Sequence, residues 1–186
     1  MSAVNNVVLP EFGKPTIPTC NAMPGQTSHV VEIRRVRADE WRELRDLRLE
    51  ALQDSPDAFW TLYEEAVDRS DAEWHEWTTF PCHVALEDGR LVGMVAAFAH
   101  EDDPTTAELI AMFVTPAERG RGIGSALVDA QLAWARAEGF ERVSLMVNVE
   151  QGSAFRLYER CGFRDTGDRS ALRDGPCVLA TMVHEL

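Results

Sequence analysis

Residues 119–125 read RGRGIGS, directly before ALVDAQLAWARAEG, a stretch with helical spacing. Glycine weakens a helix and costs backbone entropy on folding, so three glycines in five positions need a cause. A helix start presents unpaired N–H groups and roughly half a unit of positive charge. Glycines remove the Cβ atoms that would keep a ligand away from those groups, and Arg119 and Arg121 add ionic donors. Loop and helix start together form a cradle suited to a pyrophosphate. RGRGIG is neither GxxxxGK[ST] nor a proper dinucleotide fingerprint, which would follow the first strand and not the fourth.

Working outward, AELIAMFV before the loop alternates as a strand and ends at Thr115-Pro116. Upstream, CHVALED and RLVGMVAAFAH are two strands joined by Asp88-Gly89, a hairpin signal. VVEIRRV is a first strand. Residues 38–53 place Trp41, Leu44, Leu47 (or Arg48) and Ala51 at helical spacing, with Asp39 as N-cap. A second helical region covers about 58–79, broken near Ser70. After the loop, Ile123, Leu127, Ala130 and Trp134 share a helix face that Gly139 ends. RVSLMVNV is a strand, SAFRLYERCG a short helix stopped by Gly162, and FRDTGDRS and GPCVLATMVHEL the last two strands. The order βααβββαβαββ makes an α/β (α+β) domain over residues 29–186. Residues 1–28, rich in Pro and Gly, form a flexible extension.

The 186-residue chain carries a net charge of −13, with 45% hydrophobic and 26% charged residues. That acidity disfavours nucleic acid as a partner. No apolar run spans a bilayer and the N-terminus lacks a secretory pattern, so no membrane partner and a cytoplasmic location are expected. The four cysteines include no CxxC pair and the five histidines show no ligand spacing, so no metal is expected.

The loop and a second motif carry a resemblance. Arg119-Gly120-Arg121-Gly122-Ile123-Gly124 is similar to the [QR]-x-x-G-x-[GA] phosphate loop of the GNAT superfamily of acyl-CoA N-acyltransferases. QGSAFRLYERCGF resembles that family's Asn-x-x-Ala-x-x-Leu-Tyr…Gly-Phe at Ala154, Leu157, Tyr158, Gly162 and Phe163, with Gln151 in place of asparagine. The resemblance implies a mixed, mostly antiparallel sheet of about seven strands, splayed between strands 4 and 5 and flanked by about four helices. It implies acetyl-CoA as co-substrate, held by Arg119, Gly120, Arg121, Gly122, Ile123, Gly124 and Ser125 at its pyrophosphate. Backbone groups of Met112, Phe113 and Val114 would pair with the pantetheine, with Asn148, Gln151, Ser153 and Tyr158 nearby.

The implied reaction moves an acetyl group to a primary amine of a small molecule by direct attack through a tetrahedral intermediate. An alkylammonium, with a pKa of about 10, must first lose a proton. Tyr158 is the candidate acid at the leaving thiolate, and Glu108 the candidate base; His100, Asp102, Asp103 and Glu150 are alternatives. Cys161, on an apolar helix face, reads as core. Phe59, Trp60 and Tyr63, beside Glu64 and Glu65, suit a cationic amine. The same spacing suits a buried aromatic face. Protein or peptide acetylation is the alternative reading, and a non-catalytic acyl-CoA sensor the alternative of another class. Relatives imply a possible homodimer through the C-terminal strands.

Overall fold

Asp88 and Gly89 both take positive φ, 49° and 78°, a tight reversal whose twist suits antiparallel strands. In the computed structural model, which describes residues 31–186, this turn joins β2 (Cys82–Glu87) to β3 (Arg90–Ala99). β1 (Glu32–Arg35) pairs antiparallel with β2, and β4 (Thr106–Val114) with β3. β5 (Arg142–Asn148), β6 (Arg164–Ala171) and β7 (Val178–Glu185) complete a seven-stranded mixed sheet of order β1-β2-β3-β4-β5-β7-β6. The expected extension over residues 1–28 lies outside the described residues.

β4 and β5 run parallel through only three partners, Thr106↔Arg142, Ala107↔Val143 and Glu108↔Ser144. Past Glu108 they part, and β5 leaves the β4 edge unpaired from Leu109 onward. β4 also carries a bulge. Its register against β3 slips between Met94 and Ala96, and Ala111 takes φ 55°. An extra residue resets the alternation of side chains. Ala107 and Leu109 therefore sit in one core, while Ala111 and Phe113 sit in the other, with Ile110 packed beside them.

Helices cover both faces. α1 (Trp41–Asp54), α2 (Tyr63–Val67) and α3 (Asp71–Trp77) pack on one side. α4 (Ile123–Glu138) and α5 (Gly152–Arg160) pack on the other, α4 supplying the crossover a parallel β4–β5 pair requires. Each fully buried leucine of these faces, such as Leu44 and Leu127, contributes about 1.5–3 kcal/mol.

Three local expectations change. Asp39 is not the N-cap of α1: a 3-10 turn over 38–40 precedes the helix, and the Glu40 carboxylate accepts the Arg37 N–H at 2.9 Å while pairing with Arg34. The second helical region does break at Ser70, which forms a reciprocal capping pair with Glu73. However, Phe59 is extended and residues 59–62 are not helical, and the break at Ser70 yields two helices, making five α-helices among the described residues where about four were expected. On α4 the buried stripe is Ile123, Leu127, Val128, Gln131, Leu132 and Ala135, with Ala130 and Trp134 at its margin. Gln131 is tolerated there because its Nε2 donates to Pro81 O at 3.1 Å and its Oε1 meets His83 Nδ1 at 2.7 Å. Among the described residues no helix is long and apolar enough to cross a membrane, and no group of three His, Cys, Asp or Glu side chains is arranged to hold a metal.

Candidate active site

The three glycines of the loop do two different jobs. Gly120 and Gly122 take φ 79° and 83°, in the left-handed region that only glycine enters cheaply. A Cβ at either would meet nothing within 4 Å, so both border open space. Gly122 caps α4 with no side-chain hydrogen bond, which leaves the first N–H groups, at Ile123, Gly124 and Ser125, without a side-chain cap beside that space. Gly124 differs: a Cβ there would lie 3.1 Å from Leu157 and 3.4 Å from Met112. It is a packing glycine that lets α4 lie against α5 and β4.

The two arginines are not free cations. Arg119 donates from Nε to Val114 O at 2.9 Å and from Nη2 to Asp54 at 2.5 Å. Arg121 grips Glu87 through two nitrogens, at 2.9 and 2.6 Å, and also pairs with Glu118. Both guanidiniums are substantially exposed, but Glu87 is buried, so the bidentate Arg121 pair is held more firmly than the Arg119–Asp54 pair, which is nearer the exposed class that contributes only about 0–1 kcal/mol. A diphosphate can therefore compete most readily for Arg119. The backbone amides, which have no competing carboxylate, are the fixed part of the cradle.

Below the cradle, the parting of β4 and β5 opens a cavity of ≈ 350 Å³. Residues 108–112 of β4 form one wall and 146–148 of β5 the other. α5 contributes Ala154, Leu157 and Tyr158, with Gln151 just before it, and Arg48, Phe59, Trp60 and Trp77 close the α1 side. The sequence-predicted residues Glu108, Met112, Asn148, Gln151, Tyr158, Phe59 and Trp60 thus meet in one space. Others do not. Tyr63 lines a separate recess with Leu62 and Arg173, because the chain is extended between Phe59 and the start of α2. Ser153 is exposed on α5 and does not line the cavity. The Phe113 side chain is buried toward α1, and the Val114 carbonyl is taken by Arg119.

Glu108 is half-buried at the last paired position before the strands part, and loss of solvation raises its carboxyl pKa, with His100 pulling weakly the other way. Tyr158 is buried, edge-on to Phe163 at 5.7 Å between ring centres. Its hydroxyl has no hydrogen-bond partner among the described residues, and burial pushes its pKa well above the ordinary tyrosine value. Asn148 ties β5 to the 3-10 turn over 56–58: Nδ2 donates to Asp57 O at 3.2 Å and Oδ1 accepts from Glu150 N at 2.9 Å. The alternative bases His100, Asp102, Asp103 and Glu150 do not line the cavity. Asp103 caps its own turn through Thr105 and Thr106, which pull its pKa down to about 2. Cys161 is half-buried beside Ser125, its thiol pKa raised by burial.

Sequence reading missed two features. The bulge at Ala111 has no residue signature, since glycine and not alanine usually marks positive φ. Arg48 had a signal: it falls four residues after Leu44 and seven after Trp41, on the apolar face of α1. It is 4% exposed, stacked on Phe59 at 4.3 Å and Trp77 at 5.5 Å.

Comparison with known proteins agrees with this geometry. The chain is 43% identical over 84 residues to the N-acetylaspartate synthetase of Rattus norvegicus, covering 45% of this chain and 28% of that protein. It is 37% identical over 122 residues to the mycothiol acetyltransferase of Thermobispora bispora, covering 63% and 40%. The chain thus spans less than half the length of these curated relatives. A GNAT superfamily phosphinothricin acetyltransferase from Sinorhizobium meliloti, solved in complex with acetyl-CoA, superposes with a TM-score of 0.71 at 23% identity, over 84% of this chain and 88% of that one. The Acetyltransferase (GNAT) family model matches residues 39–163. With its sheet parted after Glu108 and a glycine cradle at the start of α4, the chain belongs to the Acetyltransferase (GNAT) family.

Proposed function

We propose that the protein is an acetyl-CoA-dependent N-acetyltransferase acting on the primary amine of a small molecule. The observation that carries this reading is the convergence of a half-buried carboxylate and an unpartnered phenol on one cleft below an amide cradle. The residues present fit acetyl-CoA. Gly120 and Gly122 leave space beside the α4 amides, and the β4 edge past Glu108 offers unpaired backbone groups, as in strand addition. When bound, acetyl-CoA supplies an acetyl group activated as a thioester. The name of one relative, N-acetylaspartate synthetase, supports a small-molecule product. The free cysteines Cys82, Cys161 and Cys177 suit a reducing compartment such as the cytoplasm.

Glu108 takes the proton from the incoming ammonium, directly or through one water. Its raised pKa, set by loss of solvation, makes it a stronger base than an exposed glutamate. Tyr158 donates toward the sulfur. Burial keeps it protonated, and a phenol holds its proton more tightly than a thiol, whose pKa is about 8.5. Its contribution is therefore a hydrogen bond that strengthens as charge gathers on sulfur.

Thiol release from acetyl-CoA over a panel of amines and short peptides tests the reading. Turnover with small amines is expected. Turnover with peptides alone would reassign the acceptor, and saturable CoA binding with no turnover on any amine would make the protein a sensor.

Glu108→Gln should lower the rate about tenfold at neutral pH and move the pH–rate profile to more alkaline values, since the ammonium must then lose its proton unaided. The sign on stability is opposite. A carboxyl whose folded pKa is raised destabilises the fold as pH rises through that value, and below the ordinary carboxylate pKa the cost is absent. The glutamine variant should thus melt no lower than wild type near neutrality. An unmoved profile removes Glu108 as the base.

A further inference from the structure

We propose that Arg48 binds a carboxylate on the acceptor, so that the substrate is a small amino-carboxylate, an amino acid in the broad sense. The inference rests on the acetyltransferase reading and specifies its substrate class.

Arg48 lies among Leu44, Leu47, Ala51 and Leu52 on the buried face of α1. Its Nε and Nη1 are sealed from solvent with no hydrogen-bond partner, and among the described residues it has no ion pair. The other arginines with a sealed nitrogen, Arg34, Arg142 and Arg173, each reach a carboxylate through an ion pair. Phe59 and Trp77 hold the guanidinium plane but cannot neutralise it. The neighbouring charge is Arg69, of like sign, and the adjacent Cys82 thiol is kept neutral, its pKa pushed up to about 12. Burial lowers the Arg48 pKa only to about 10, so about one molecule in a thousand loses the charge at pH 7.

Such a cation is costly unless a partner arrives. Arg48 lines the same cavity as Glu108. Ile110, two residues after Glu108 on β4, packs in the α1 core, so Glu108 faces α1 as Arg48 does. Arg48 is also remote from the cradle: Asp54, which holds Arg119, lies six residues further along α1, about 9 Å of helix. The cleft thus has an anionic group where an ammonium must lose its proton and a cationic fork nearby. An amine with a carboxylate complements both. A diamine would set its second charge against Arg48, which selects against it. Arg69 does not line the cavity, so one fork meets one two-oxygen acceptor, the geometry of guanidinium with carboxylate.

The test compares kcat/KM for the proteinogenic amino acids, β-alanine and γ-aminobutyrate with their carboxamides. The carboxamides' ammonium groups lose their proton more readily, so the intrinsic bias opposes the proposal. At least one acid should exceed its carboxamide by about 30-fold, and Arg48→Met should cut that ratio about 20-fold, with Arg48→Lys recovering part of it. Arg48→Met should melt at or above the wild-type temperature, because an unpaired buried charge is gone; Arg48→Gln serves if it does not fold. Carboxamides that match every acid, or a preference that survives in both variants, overturn the proposal. If wild type acetylates no amine, the enzyme reading fails. The proposal is then decided by calorimetric titration of the same compounds in the presence of CoA: acid-selective, Arg48-dependent binding upholds it, and equal or absent binding overturns it.

Discussion

Gly122→Val should weaken acetyl-CoA binding by about 100-fold, about 2.8 kcal/mol, with the protein still folded. Gly122 sits at φ 83° and no atom lies within 4 Å of where its Cβ would be. A Cβ there meets no clash within the protein. The backbone penalty of a β-branched residue in the left-handed region is about 1–3 kcal/mol. α4 spreads that cost over a buried face running from Ile123 to Ala135, within an overall stability of about 5–15 kcal/mol. The isopropyl group, however, projects into the space beside the first α4 amides, where a diphosphate must come within about 3 Å of the N–H groups. Calorimetric titration with CoA, beside a thermal melt, checks this. Undiminished affinity in a folded variant would remove the phosphate site from the α4 start.

Tyr158→Phe should lower kcat by about 100-fold, and by no less than tenfold, with little change in the Michaelis constant for acetyl-CoA. The substitution is unusually clean. The hydroxyl has no partner among the described residues, so its removal orphans no other group, and the ring keeps its edge contact with Phe163. The melting temperature should therefore hold or rise slightly, separating a lost hydrogen bond to sulfur from a lost fold. Steady-state kinetics with a saturating amine decides it. An unchanged kcat would make Tyr158 a core residue only.

Most of the fold was legible because its punctuation is local. Asp88-Gly89, Gly139 and Gly162 each end an element at a left-handed residue. The glycine loop and the start of α4 were legible for the same reason. What escaped depended on partners distant in sequence. The ion pairs of Arg119 with Asp54 and Arg121 with Glu87 join residues 65 and 34 positions apart, and no periodicity announces them. Tyr63 was misplaced because a helix was assumed to begin at residue 58, whereas Pro56 opens a single 3-10 turn after which the chain runs extended. Arg48 was visible as a charge on an apolar stripe, but only the cavity gave that position a meaning.

Gly124 has a mechanical consequence. Leu157, the side chain its missing Cβ makes room for, immediately precedes Tyr158. The helix that opens with the amide cradle and the helix that carries the phenol are wedged together with no slack, as two arms of one rigid bracket. On the proposed reading, donor grip and thiolate stabilisation share a common frame, and a broader acceptor choice would come from the opposite side of the sheet, where Arg48 of α1 and Phe59 and Trp60 of the extended segment after Pro56 line the cavity.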